Sequence, residues 1–505
     1  MTVTTSKRQP ARDDVSIPTA GLMAPQLWAG KIFNGEWVAA GAGEHSVIEP
    51  ATGAELGVVG HASTDDVRQA AEQAAEAQTD WAAAPFGARA QVLRRSAELW
   101  EQQPPDVLDW YIRESGSTAT KAGFDFHLAA NTCHGAAATA MQPQGQRLRS
   151  EEPRMSVTRQ VPVGVVSVIA PFNFPLILAL RSVAPALALG NAVLLKPDPR
   201  TAVCAGVAIA RIFEEAGLPP GLLHVLPGGA DVGEAMVTDP DVSVIAFTGS
   251  TKAGRAVGPL AAKHLKRVSL ELGGKNSLIV LDDVELDRAV ASGAWGAFFH
   301  QGQICMAAGR ILVHESIANE YVERLAVTAE KLTVGDPAAR QFDLGPIIDE
   351  HQRDSIHEFV TTTVDAGARL AAGGTFTDLF YRPTVLADVT ATMPAYKDEI
   401  FGPVAPVTAF STLDEAAELA ADTEYGLALG ILSQNVMKAI ELAERVPCGL
   451  VHINDQPVND EAIEPFGGVR ASGNGSRTGG ADADIAAYTD TQWLTVRDQI
   501  ASREF

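Results

Sequence analysis

From Val161 onward the chain alternates short, nearly continuous apolar runs with longer stretches whose apolar residues recur at helical spacing. Residues 163–170, 191–196, 222–226, 242–247 and 268–272 read as strands, and 175–189, 202–215, 232–237 and 253–264 as helices between them. Unbroken apolar strands separated by helices are what a parallel sheet covered on both faces requires, so the pattern predicts a doubly wound α/β unit. A second alternating set begins after Gly274, with strands at 277–281 and 310–314, helices at 286–299 and 317–332, and alternation continuing to Gly449. Upstream, Asn34-Gly35 between apolar flanks predicts a hairpin. Thr64 is placed to cap a helix through Val67, Ala70, Ala71 and Ala74, and another helix follows over 88–100. Residues 1–23 are polar, carry Pro10 and Pro18 without periodicity, and read as a mobile tail. The segments 146–162 and 485–496 alternate like strands but belong to neither core; such edges pair with another chain.

Length and charge narrow the class. A chain of 505 residues exceeds one small core and implies two or three domains. A net charge of -23 disfavours a nucleic-acid partner. Cys133, Cys204, Cys305 and Cys448 are scattered without a CxxC pair, which argues against a disulfide framework or metal site and for a reducing compartment. The first residues lack an apolar signal core, and no apolar run is long enough to span a bilayer, so the expectation is a cytoplasmic protein with no membrane partner.

Three motifs carry candidate chemistry. Cys305 lies in Gln301-Gly302-Gln303-Ile304-Cys305-Met306, between a helical run and a strand. An isolated cysteine is usually a small core residue, but Glu271 in Glu271-Leu272-Gly273-Gly274 and Asn173 in Pro171-Phe172-Asn173-Phe174-Pro175 each follow a buried strand, where open parallel sheets bind ligands. A thiol, a carboxylate and an amide suit a nucleophile, a general base and an oxyanion donor. No GxGxxG is present. Gly249-Ser250-Thr251-Lys252-Ala253-Gly254 follows a strand and opens a helix whose N–H groups suit a phosphate, although an ordinary strand–helix turn explains the pattern as well.

Together and in this order, over about residues 32–496, these motifs resemble the aldehyde dehydrogenase superfamily. The resemblance implies an α/β protein with a variant Rossmann cofactor domain over 24–140 and 160–271, a catalytic α/β domain over 272–470, and a small β oligomerisation arm from 141–159 and 485–505 that builds a homodimer or homotetramer. It implies that Cys305 attacks an aldehyde to form a thiohemiacetal, that the Asn173 amide and the Cys305 N–H hold the oxyanion, and that Glu271 activates water to hydrolyse the resulting thioester. Relatives that pass the acyl group to coenzyme A typically lack this glutamate, so a carboxylic acid is the expected product. Lys196 and Glu399 match the residues that hold the cofactor riboses. The cofactor-facing set is completed by Ile169, Ala170, Pro171 and Phe172, by Gly229, Gly233 and Phe247, by Gly249, Ser250 and Gly254, and by Leu272 and Phe401. Where NAD-preferring relatives often carry a glutamate, this chain has Pro199 followed by Arg200, which leaves NAD or NADP open with a slight lean to NAD.

The stretch from Asn454 to Gly473 is similar to the benzaldehyde and vanillin dehydrogenase branch, so an aromatic aldehyde is the expected small-molecule substrate. Phe172, Phe298, Ile304, Met306, Val458 and Phe466 are candidates for the apolar slot, with His300 as pocket wall rather than metal ligand. The alternatives are an aliphatic semialdehyde dehydrogenase, in which Arg470 or His300 would meet a distal carboxylate, a thiol esterase, or an inactive scaffold on the same fold.

Overall fold

The computed structural model describes residues 21–501. Its first sheet has seven strands in the spatial order Arg267–Glu271, Val242–Thr248, Val165–Ile169, Ala192–Lys196, Leu223–Val225, Lys31–Phe33, Trp37–Ala39. The first five are parallel and the last two form the expected hairpin, joined antiparallel through Phe33 and Val225. Strand Val165–Ile169 sends its chain one way to Ala192–Lys196, while Val242–Thr248 returns on its other side. The order therefore reverses between Val165–Ile169 and Val242–Thr248, and the chain leaving their carboxyl ends in opposite directions creates a crevice outside the sheet. The second sheet also has seven strands, in the order Arg369–Ala372, Thr384–Ala387, Val404–Phe410, Arg310–His314, Ser277–Val280, Ala428–Leu432, Leu450–Ile453. All but the first run parallel.

The two sheets are joined in sequence by Leu272–Asn276 and meet end to end. The first offers the carboxyl ends of its strands, whereas the second offers the amino ends, because Asn276, Cys305 and Glu399 each precede a strand of it. Separate apolar clusters fill the layers: one contains Val166, Leu180 and Ile245, and two flank the second sheet around Ile279 and Ile311.

Several boundaries differ from the sequence reading. Most of the expected tail lies outside the described residues, but Met23 is fully buried and its N–H donates to Asp106, so the ordered chain starts before residue 23. Ser63, not Thr64, caps the helix Thr64–Ala83, because Ser63 Oγ accepts from Asp66 N while the Asp66 carboxylate accepts from Ser63 N. Two helices, Pro105–Ser115 and Ala119–Thr139, were not anticipated. Residues 485–488 belong to the helix Ala481–Tyr488, and only Thr489–Val496 is strand; it pairs antiparallel with Met155–Pro162 as a ribbon separate from both sheets. Among the described residues no helix is long and apolar enough to cross a membrane.

Candidate active site

Cys305 sits on a loop that the sequence forces into a tight path. His300, Gln301 and Gly302 take successive left-handed conformations (φ 48°, 56° and 66°), and a Cβ on Gly302 would lie 2.1 Å from the Gly402 carbonyl. Such backbone persists only where its surroundings over-determine it. Here Gln301 Nε2 donates to Pro346 O at 2.9 Å, and Gln303 Oε1 accepts from Ile348 N at 3.1 Å. Asn276 Nδ2 donates to Cys305 O at 2.8 Å and to Ala307 O at 2.9 Å. Asn173 faces the same loop and donates from Nδ2 to Gln303 O at 3.0 Å. The turn between Phe174 and Ile177 opens the buried helix Ile177–Ala188, fixing that amide at the end of strand Val165–Ile169.

Cys305, Asn173, Lys196 and Glu399 line one cavity of about 450 Å³. It lies at the crevice where the order of the first sheet reverses, and Ile169, Ala170, Pro171, Phe172, Arg200, Phe247, Gly249, Ser250, Leu272 and Phe401 line it as the resemblance implies. Ser250 caps the helix Thr251–Lys263, whose amino end opens on the cavity. Lys196 is buried and its Nζ has one long contact, to Pro197 O at 3.4 Å; burial lowers its pKa. Glu399 Oε1 accepts from Gly274 N at 3.0 Å, and burial raises its pKa to about 7. A Cβ on Gly273 would sit 2.2 Å from Glu399 Oε2, so glycine is what lets this carboxylate reach the cavity wall. A buried ammonium and the N–H groups of a helix start as donors, with a carboxylate as acceptor, are what a dinucleotide's phosphates and hydroxyls need.

Four expected cofactor residues stand behind the cavity wall instead of lining it. Pro199 starts a short turn next to Asp198, and Gly229 caps the helix Ala230–Thr238. Gly233 backs Lys196, with a Cβ there 3.5 Å from Lys196 Cε, and Gly254 packs on Leu272. Asp198, Gln352 and Gly273 do line it and were not anticipated.

Glu271 ends the strand Arg267–Glu271, and neither carboxylate oxygen has a hydrogen-bond partner. Burial raises its pKa to about 8; Arg181, Arg477 and the nearby Gly468 amide oppose the rise and Asp460 adds to it. In this conformation Glu271 faces a smaller void of about 10 Å³, shared with Arg181, Ser269 and Phe466, and Leu178, Phe247 and Thr248 form the wall between that void and the Cys305 cavity. The void has about the room that one water occupies. Arg181, only 4% exposed, binds both oxygens of Asp460 through Nη2, lies 4.4 Å from the Phe466 ring, and leaves Nε and Nη1 without partners. Burial lifts the Cys305 thiol to about 12, aided by Glu399, Glu271 and Asp460 and opposed by Arg181. The thiol is therefore protonated at rest, and attack requires that its proton leave.

Beside Cys305 an apolar cluster gathers Phe174, Ile177, Ile304, Met306, Val458 and Phe466, with Phe124, Leu178 and Phe299 against it. Ile304, Met306, Val458 and Phe466 thus pack together beside Cys305. Phe298 does not join them: it is buried with Ile311 and Tyr321 in the core of the second sheet, because one helical step separates it from Phe299, the face that reaches the cluster. Phe172 also differs, since its ring packs on Phe401 at 5.9 Å and under Arg200 at 4.3 Å on the cofactor side. His300 is buried edge-on to Phe174 at 5.5 Å, and burial pulls its pKa well below the usual value.

A cavity outside the carboxyl ends of parallel strands, with a thiol on a constrained loop at its edge, is where such a sheet binds a ligand for chemistry. The chain belongs to the aldehyde dehydrogenase family, whose model matches residues 37–494. It is 61% identical to a vanillin dehydrogenase of an Amycolatopsis species, covering 95% of this chain and 99% of that one. It is 49% identical to a benzaldehyde dehydrogenase [NAD(+)] of Pseudomonas putida over 95% and 98% of the two chains. Among solved structures, a salicylaldehyde dehydrogenase of Pseudomonas putida G7, complexed with salicylaldehyde, superposes with a TM-score of 0.90 at 33% identity over 94% and 99%.

Proposed function

We propose that this enzyme oxidises a neutral aromatic aldehyde to its carboxylic acid with NAD, and the observation that carries the reading is the aromatic cluster walling Cys305. Phe174, Phe299 and Phe466 place three aromatic rings in the apolar surroundings of the nucleophile, which suit a flat apolar substrate. Cys305 Sγ, half-buried at the edge of the cavity, attacks the carbonyl carbon once its proton has passed to water in that cavity, and the negative oxygen that forms is met by the Asn173 amide and the Cys305 N–H. A nicotinamide held in this cavity beside Lys196 and Glu399 would supply the acceptor for the hydride of that adduct. Glu271, ionised, then removes a proton from a water that attacks the Cys305 thioester, and a water-sized void at its carboxylate supports that role. Lys196 and Glu399 are the residues that would hold the cofactor in this cavity.

NAD is favoured because Arg200 is already engaged. It grips Asp198 with two nitrogens at 2.9 and 2.8 Å and Asp349 with a third at 2.7 Å, so its donors are already taken by two carboxylates. A 2'-phosphate would have to displace a carboxylate from this cation. The semialdehyde alternative loses support: Arg470 donates to the carbonyls of Ala421 and Thr423, and His300 is buried with a pKa far below neutrality. Neither offers a cation to a distal carboxylate. The test is the initial rate of nicotinamide reduction with vanillin, benzaldehyde and succinic semialdehyde, each against NAD and NADP. The expected result is a kcat/KM higher for both aromatic aldehydes, and higher with NAD; preference for the semialdehyde or for NADP would overturn the corresponding half of the reading.

A further inference from the structure

Lys121 is completely buried in the first turn of the helix Ala119–Thr139. That is an unfavourable place for a cation, because a helix start is itself positive and desolvation of an ammonium is costly. Its surroundings compensate. Nζ donates to Asn173 O at 2.6 Å and to the Tyr111 hydroxyl, and lies 4.2 Å from the Phe174 ring. The Tyr111 hydroxyl in turn donates to Asp125, whose carboxylate is 3.8 Å from Nζ. Asp125 then accepts from the N–H groups of Leu176 and Ile177, at 3.3 and 3.0 Å, at the start of a helix that has no side-chain cap of its own. Burial brings the Lys121 pKa down only to about 8, which leaves the ammonium charged at neutral pH.

The network therefore grips the turn 173–177 at both ends. Lys121 pulls on the carbonyl of Asn173 while Asp125 pins the amides that follow Pro175. The side-chain amide of Asn173 projects from the gripped residue toward the Cys305 loop. We propose that Lys121, with Tyr111 and Asp125, is a positioning group for the reaction: it holds Asn173 so that its amide meets the oxyanion formed on the carbonyl attacked by Cys305. The inference rests on the oxyanion role given to Asn173 above. A charged group is suited to this work because a donor bonded to a carbonyl with an ionic anchor behind it resists the displacement a neutral contact would permit.

A double-mutant cycle in the full-length enzyme separates this from a role in stability alone. Lys121→Met, similar in length but uncharged, is expected to lower kcat/KM for benzaldehyde by roughly ten- to a hundredfold, as a misplacement of about 1 Å at the reacting centre does. The NAD dissociation constant is expected to stay within about twofold. Asn173→Ala alone is expected to lose about a hundredfold or more. In the Asn173→Ala background, Lys121→Met should cost less than about twofold, since the amide it positions is gone. Losses that multiply in the double variant would overturn the proposal. So would a Lys121→Met enzyme with wild-type kcat/KM. Unchanged activity in Asn173→Ala would overturn the oxyanion role itself, and with it this inference. Should Lys121→Met fail to fold, the same cycle with Tyr111→Phe, which removes one hydroxyl from the network, is read by the same criterion.

Discussion

Arg181 is a cation placed where it acts on both halves of the chemistry. It stands beside Glu271 and within electrostatic reach of Cys305, and Asp460 holds only one of its nitrogens. Glu271 serves as a base only when ionised, so the step it catalyses grows as pH rises through its pKa of about 8. Arg181→Met removes a charge that lowers this pKa and is expected to move the midpoint of the kcat–pH profile to higher pH. Asp460→Asn removes a charge that raises it and is expected to move the midpoint down. Midpoints that do not move, or move the other way, would contradict the electrostatic coupling. Cys305, Glu271 and Asn173 were legible because each lies beside a buried apolar strand, where a polar side chain is not there by default. Arg181, Lys121 and Asp198 were not legible, because a charged residue in sequence gives no sign of being buried with a partner far along the chain. Phe298 and Phe299 show the same limit: which neighbour faces the site depends on where the helix ends.

The ribbon of Met155–Pro162 and Thr489–Val496 is an element without a core of its own. Trp493 is 61% exposed and Met155 50% exposed on it, and an isolated two-stranded ribbon is marginal in water. We infer that a second copy of the chain covers this face. Trp493→Arg is expected to shift the enzyme to a smaller species in light scattering, and an unchanged mass would contradict the assignment. The five parallel strands of the first sheet, and Ser277–Val280 and Arg310–His314 of the second, were readable as apolar runs; the later strands of the second sheet were read only as continuing alternation to Gly449, and Leu450–Ile453 lies beyond it. The helices Pro105–Ser115 and Ala119–Thr139 were not readable. Pro104, Pro105 and Gly116 punctuate that stretch and suggest loops, yet the prolines start a helix and Gly116 (φ 64°) ends it. In the second helix, alanines and buried polar residues blur the apolar stripe.

At the scale of the molecule, the site exists because two sheets meet by opposite ends. The first brings Asn173, Lys196 and Glu271 on the carboxyl ends of its strands, and the second brings Cys305 and Glu399 just before the amino ends of its own. This division places Cys305 on one body and Glu271 and Asn173 on the other, with the cavity between them. Glu271 faces a void separated from the Cys305 cavity by Leu178, Phe247 and Thr248, so its side chain has to turn past them to serve the thioester. The central claim is this two-step division of labour between Cys305 and Glu271. The most direct test is rapid mixing of Glu271→Gln with NAD and benzaldehyde, followed by intact mass. The account predicts a burst of about one equivalent of reduced nicotinamide per site, slow turnover afterwards, and an acyl adduct on Cys305 that is absent from Cys305→Ala. Full steady turnover in Glu271→Gln, or a burst without the adduct, would contradict it.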